Sequence, residues 1–326
     1  MNVQITIIGL GQIGGSIGLA LGSHKDLVTR WGNDLDLGVA RRAEKLGAID
    51  RVEINLPNSV RSADIVVLAL PLDQIHETLS VIAPDLKEGA VVMDTAPIKE
   101  AVVGWAKELL PPNRHYIGLT PVLNPAYLDV RESGLESARA DLFQNGMMII
   151  VTPMGIASDA IKLAADFTRL LGATHIFADP VEVDSQIGAT HILPQLLGAA
   201  LLSITVDQPG WREGRKFAGR AFTQVSGAVE FDPPAALANA ALLNHQNVTR
   251  SIDSLIAALQ GLRSDIQTQD QVALTETLQR AEKGRQVWWQ QQRQRAQWDL
   301  EENSPGELPA PGEWFGRLVG FGKRKK

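Results

Sequence analysis

With 326 residues the chain is long enough for two domains, and 44% apolar with 21% charged content is that of an ordinary globular protein. A net charge of −6 speaks against general nucleic-acid binding, and the absence of cysteine excludes disulfides, thiolate metal sites and cysteine nucleophiles, so no metal is expected. No basic stretch with an apolar run behind it opens the chain, and no apolar run reaches membrane-spanning length, so a cytoplasmic protein is expected.

The first predicted element is a buried strand over 3–8, rich in β-branched residues, that meets a glycine cluster, Gly9, Gly11, Gly14 and Gly15. The small and apolar residues 16–21 suit a helix packed hard on that strand. In this pattern Gly9 permits a tight turn, Gly11 lets the backbone approach a pyrophosphate, and Gly14 lets helix and strand touch. The helix start at Gln12 and Ile13 then offers free N–H groups and a positive dipole end to phosphates. A second strand over 27–32 leads to Asp34, twenty positions past Gly14, where a carboxylate accepts hydrogen bonds from the adenosine ribose. An acid there repels a 2′-phosphate, which favours NAD over NADP. The alternative is that Asp34 only caps the next helix. Arg30 precedes the acid and is expected to point elsewhere.

A helix over 38–46 and a short third strand come next. Residues 63–71 form a continuous apolar strand of the kind buried in parallel sheets, with Leu70 and Pro71 at its carboxyl edge, where ligands bind in open α/β sheets. A helix over 73–82, a strand over 89–94 ending at Asp94, and a helix through Leu110 continue the alternation. Strands at 116–119, 147–151 and 174–177, with a helix over 156–171, complete a doubly wound α/β sheet from 1 to about 179. From 181 onward almost nothing reads as a strand. Helical patterns dominate to about 258, and 269–300 reads as a further helix rich in Gln, Arg and Trp, so the second domain, 180–302, is all-helical. Its wide apolar faces suit a homodimer.

The order of motifs resembles the prephenate and arogenate dehydrogenases of tyrosine biosynthesis over about residues 1–260. The resemblance rests on GLGQIGGSIGLAL at 9–21, Asn33 and Asp34, EKLGAID at 44–50, ADIVVLALP at 63–71 and DTAPIKE at 94–100. It continues in YIGLTPVLNP at 116–125, SGLESARADLFQNG at 133–146, VDSQIGATHILPQLLGAALL at 183–202 and AGRAFTQVSG at 218–227. It implies a Rossmann domain over 1–179, a helical dimerisation domain, and NAD-dependent oxidative decarboxylation of a small acid. It also implies cofactor contacts from Gly9, Gly11, Gln12, Ile13, Gly14, Asp34, Leu70, Pro71 and Asp94.

The chemistry departs from the family pattern. Where the resemblance implies a serine after the fifth strand there is Pro97, where it implies the catalytic histidine there is Thr120, and the carboxylate-binding arginine falls on Gly227. Asp94, Lys99 and His191 remain. In the family's reaction hydride leaves the carbon bearing the ring hydroxyl while a base takes that hydroxyl's proton. A threonine hydroxyl is not ionised at neutral pH, and loss of a general base costs a factor of about 10²–10⁴. Thr120, His191 and Lys99 are therefore the catalytic candidates, the alternatives being a local slip of the alignment at 120, a helix-buried histidine bonded to a carbonyl at 191, and a residue of the first helical turn at 99. His115 reads as a surface residue ahead of its strand and Asn124 as a ligand contact or a turn residue. Arg212, Arg215, Lys216 and Arg220 read as a solvated face or a receptor for an acidic substrate.

A Pro- and Gly-rich linker from 303 leads to an aromatic and basic tail at 314–326, which suits a membrane surface or an acidic partner, or docks on the dimer. Two function classes stand: a dehydrogenase acting on prephenate, arogenate or another small acid, and a non-catalytic NAD-binding relative.

Overall fold

The computed structural model describes residues 2–130 and 133–293. The end of the helix expected over 269–300, the linker and the aromatic tail lie outside the described residues. Two compact units divide after Val183.

The first unit alternates strands and helices: β1 (Val3–Ile8), α1 (Gln12–Leu21), β2 (Val28–Asn33), α2 (Leu37–Lys45), β3 (Arg51–Val52), α3 (Leu56–Val60), β4 (Ile65–Leu68) and α4 (Leu72–Ile82). It continues with β5 (Val91–Asp94), α5 (Glu100–Leu109), β6 (His115–Val122), β7 (Met147–Val151), α6 (Ser158–Leu170) and β8 (Thr174–Ala178). The eight strands form one sheet in the order β3-β2-β1-β4-β5-β6-β7-β8. All neighbours are parallel except β6 and β7. A parallel return needs a long crossover, and the described chain between β6 and β7 carries only the single turns Pro125–Tyr127 and Leu135–Ser137, so β7 comes back antiparallel. The helix α3 has no hydrophobic period to announce it; Asn55 starts it by accepting from the Asn58 N–H.

Parallel strands covered on both faces must be apolar throughout, and Ile5, Ile7, Ile65, Val67, Val91 and Val92 are all fully buried. The register sets the working edge. Ile8 pairs with Asn33 and with Leu68, Leu68 with Asp94, and Asp94 with Gly118, so four strands end in one row beside the middle of β6. Chain order reverses between β1 and β4, and the row's residues lead directly into Gly9, Asp34 and Leu70.

Arg30 is wholly buried in β2. Its guanidinium donates to Gly18 and Gly47 carbonyls at 2.7 and 2.8 Å and forms a 2.5 Å ion pair with Asp50. It therefore pins α1, α2 and β2 together and points away from the strand ends.

The second unit begins within α7 (Pro180–Ile187), a helix that runs on past the composition change at 179–180 and so carries the division a few residues into itself. A single π-helical turn follows at Gly188–Ile192, then α8 (Leu193–Ser203), α9 (Trp211–Gly214), α10 (Arg220–Ser226), α11 (Pro234–Leu243), α12 (His245–Gln267) and α13 (Gln271–Arg293). Gly198 lets α8 approach α10: a Cβ there would lie 2.9 Å from the Val225 carbonyl oxygen. Few side chains are buried, among them Ile192, Gln195, Ala240, Asn244 and Val248, whereas Ile204, Leu242, Leu259, Ile266 and Val272 stay exposed. No helix among the described residues is long and apolar enough to cross a membrane.

Burial alone would raise the Asp50 carboxyl, but the Arg30 hydrogen bonds and charge outweigh it and hold it below the ordinary carboxylate value. A depressed folded-state value stabilises the fold above the unfolded value, near pH 4, and the stabilisation fades as pH falls through the folded one. Asp50→Asn is expected to lower the melting temperature at pH 7, with the gap to the parent narrowing below about pH 4. A gap that does not change with pH would show that the charge of Asp50 contributes nothing.

Candidate functional site

The site is built at the strand ends of the first unit. Gly9 leaves β1 with φ +87°, and a Cβ on it would collide with the Ala69 carbonyl at 2.4 Å and with Leu70 at 2.9 Å. A Cβ on Gly14 would lie 1.9 Å from the Gly9 carbonyl oxygen. The turn is thus closed backbone against backbone, with Leu70 and Pro71 beside it at the end of β4. Gly11 is different: a Cβ there would meet nothing within 4 Å. It is the N-cap of α1, makes no side-chain cap, and is followed by a first turn with no acidic residue. The helix start at Gln12 and Ile13 therefore opens to a crevice with unopposed positive dipole.

Asp34 stands beside this opening. Its Oδ2 accepts from the Leu10 N–H at 2.8 Å and its Oδ1 from the Asp36 N–H at 2.9 Å. It does not cap α2, since Asp36 does that by accepting from the Gly38 N–H. A carboxylate has about four acceptor positions, so each oxygen keeps capacity for a ribose hydroxyl.

Asp94 and Lys99 form a closed pair below the edge. Both side chains are fully buried, with Lys99 Nζ 2.7 Å from Asp94 Oδ2. Asp94 also accepts from the Ala96 N–H at 2.7 Å and from the Tyr116 hydroxyl. Gly118 makes this possible, because a Cβ there would lie 2.9 Å from the Lys99 stem. Buried charges persist only when paired and hydrogen-bonded, and here they are. Contact to substrate was expected of Lys99 and contact to cofactor of Asp94; in the described structure both side chains are enclosed and hold β5, β6 and the start of α5 together.

Thr120 lies two residues beyond Gly118 on the same face of β6. It is 6% exposed and its hydroxyl has no partner among the described residues. His115 is the first residue of β6 and half-buried, not an outlying surface residue, and burial pushes its imidazole below the usual value. Asn124 is a turn residue, accepting from the Ala126 N–H and donating to the Asp141 carbonyl.

In the second unit, His191 sits in the π-helical turn, with Nε2 2.6 Å from Asp232 Oδ2. The buried Gln195 donates to the same oxygen at 2.8 Å, while its own carbonyl accepts from the Asp232 N–H at 3.2 Å. Burial would raise the Asp232 carboxyl, but His191 and Gln195 outweigh it and hold it below the ordinary value. Sequence reasoning missed Asp232, Gln195 and Tyr116: the spacing of 191 and 195 puts both on one helix face, but nothing in the sequence brings Asp232 to them, 41 positions from His191. Arg212, Arg215, Lys216 and Arg220 are all exposed, with Lys216 paired to Glu213.

A doubly wound sheet with an open glycine turn and an acid at the tip of β2 defines a Rossmann-type nucleotide-binding protein, here followed by a helical unit. Residues 17–177 match the family described as prephenate dehydrogenase, nucleotide-binding domain, and 179–280 the one described as prephenate dehydrogenase, dimerization domain. The chain belongs to the prephenate dehydrogenase family. It is 26% identical to the cyclohexadienyl dehydrogenase of Zymomonas mobilis over 86% of this chain and 94% of that one. It is 24% identical to the prephenate dehydrogenase of Bacillus subtilis, over 83% and 72% respectively. The fold is similar to the crystal structure of prephenate dehydrogenase from A. aeolicus in complex with hydroxyphenyl propionate and NAD+ (TM-score 0.78, 21% identity, 88% of this chain and 98% of that one).

A buried hydroxyl without a partner costs about 1–3 kcal/mol. Thr120→Val is therefore expected to raise stability in urea by about 1 kcal/mol. A loss of stability would show that the Thr120 hydroxyl is satisfied in the folded protein.

Proposed function

We propose that this chain is an NAD-dependent dehydrogenase acting on prephenate, arogenate or a closely related small acid, as a cytoplasmic homodimer. The opening at Gly11 carries the reading: a glycine with free space where its Cβ would be, at a helix start without acids, beside Asp34. The N–H groups of Gln12 and Ile13 would hold the pyrophosphate, Asp34 the adenosine ribose, and Leu70 with Pro71 would flank the crevice. Charge favours NAD over NADP, because Asp34 and Asp36 both repel a 2′-phosphate and Arg30 is turned inward on Asp50. Bound NAD supplies a hydride acceptor. The A. aeolicus relative holds NAD+ with hydroxyphenyl propionate, an aromatic carboxylate of the class this reaction would release.

At the strand edge Thr120 offers a neutral hydroxyl that can bond a substrate oxygen but cannot take its proton. The exposed Leu242, Leu259 and Ile266 give a second copy an apolar surface, in keeping with the match to a dimerization domain.

The protein is expected to form reduced nicotinamide, followed by its absorbance, from NAD with prephenate or arogenate, and less with NADP. Calorimetric NAD binding without turnover of either acid would sink the substrate assignment, and failure to bind NAD would sink the whole reading. Gly11→Ala is expected to weaken NAD by about tenfold or more (about 1.4 kcal/mol) with the melting temperature of the free protein unchanged. Gly18→Ala should do the reverse, since its Cβ would lie 2.2 Å from the Ala48 carbonyl oxygen. Equal effects of the two on melting would refute the open cradle.

A further inference from the structure

The matched dimerization domain ends at residue 280, but α13 runs on to Arg293. That continuation is bare: every residue from 278 to 288 is exposed, and a Cβ on Gly284 would meet nothing within 4 Å. Helices in proteins draw most of their stability from a packed face, and a glycine inside an exposed helix costs about 1 kcal/mol. A helical arm of this kind calls for a cover.

Its residues point to a second helix as that cover. Leu274, Leu278, Ala281, Arg285 and Trp288 follow one another at intervals of four, three, four and three, the spacing that keeps one stripe turned toward a partner helix. Leu278 is 56% and Trp288 44% exposed. Arg285 is the one charge in the stripe, and its guanidinium lies over the rings of Trp288 and Trp289, 4.7 and 4.6 Å from their centroids. Arg293 lies over Trp289 as well, at 5.2 Å. A guanidinium is weakly hydrated and stacks on aromatic rings, so it enters a helix interface at less cost than an ammonium would. Tryptophan and arginine are also frequent anchors of protein interfaces. On α12, the helix ahead of it, Ile256, Leu259 and Ile266 are exposed too, so the stripe of α13 prolongs the apolar surface of the matched domain.

We propose that the end of α13, residues 281–293, is a dimerisation arm: its stripe packs along a helix of a second copy of this chain, with Trp288 as the anchor and the charge of Arg285 shielded by the stacked indoles. The inference rests on the homodimer reading above and carries the interface past the matched domain.

The test uses the full chain, with sedimentation over a range of concentrations and hydrogen exchange of the 281–293 amides. Trp288→Ala is expected to raise the Kd of the dimer by about tenfold or more. Val287→Ala, comparably exposed at 42% but about 200° round the helix from Arg285, should leave it unchanged. The 281–293 amides should exchange slowly where the dimer forms and fast on dilution to the monomer. A dimer that Trp288→Ala leaves as tight as the parent's would overturn the arm alone, as would fast exchange of 281–293 within the dimer. Slow exchange that dilution leaves unchanged and deletion of 294–326 abolishes would make the chain's own C-terminus the cover, and overturn it too. A parent that stays monomeric at every concentration would remove the homodimer reading and the arm with it. Should Trp288→Ala lose helix by circular dichroism, the exchange of the parent on dilution decides the matter.

Discussion

Everything at the working edge depends on one close approach. The carbonyl oxygen of Gly9 occupies the place where a side chain at position 14 would begin. Because neither residue has a Cβ, α1 starts directly on the end of β1, and its first N–H groups face outward. Strand register does the rest. Ile8, Asn33, Leu68 and Asp94 end their strands level with one another, so the glycine turn, Asp34 and the exit of β4 meet at one height. A shift of one residue in β2 would carry Asp34 to the other face of the sheet.

Beneath that edge the protein holds a buried charge pair. Asp94 and Lys99 are both removed from water, which is tolerable because Tyr116, the Ala96 N–H and the ion pair satisfy the carboxylate. Gly118 leaves the groove through which the lysine stem passes. The pair ties two central strands to α5 without exposing a charge to the crevice. Thr120, two residues along the same strand, is the opposite case: a buried hydroxyl left without a partner among the described residues.

Much of the fold was legible because its signals are local. A β-branched run followed by closely spaced glycines states both the strand and the turn, and the distance from Gly14 to Asp34 spans one helix and one strand. The antiparallel return of β7 was not legible, since it depends on what the connection after β6 fails to form. Nor was the enclosure of Lys99: an Asp and a Lys five residues apart read equally well as a site or as a structural pair. Only their burial against Tyr116 and Gly118 distinguishes the two. The same holds for Asn124 and His115, whose roles follow from what packs around them.

The amino-acid sequence alone decided the alternation of strands and helices, the phosphate-binding turn, the acid at the tip of β2 and the change to helices near 180. All of these follow from periodicity, glycine and short spacing. Tertiary structure decided which polar residues meet. Asp232 lies 41 positions from His191, and Gln195 is joined to it only by the packing of α8 beside the turn ahead of α11. A long-range contact leaves no trace in local propensity, because its energy exists only once both segments are folded. The chain therefore announces what it can bind by its first 34 residues, and where His191 finds a carboxylate only by its fold.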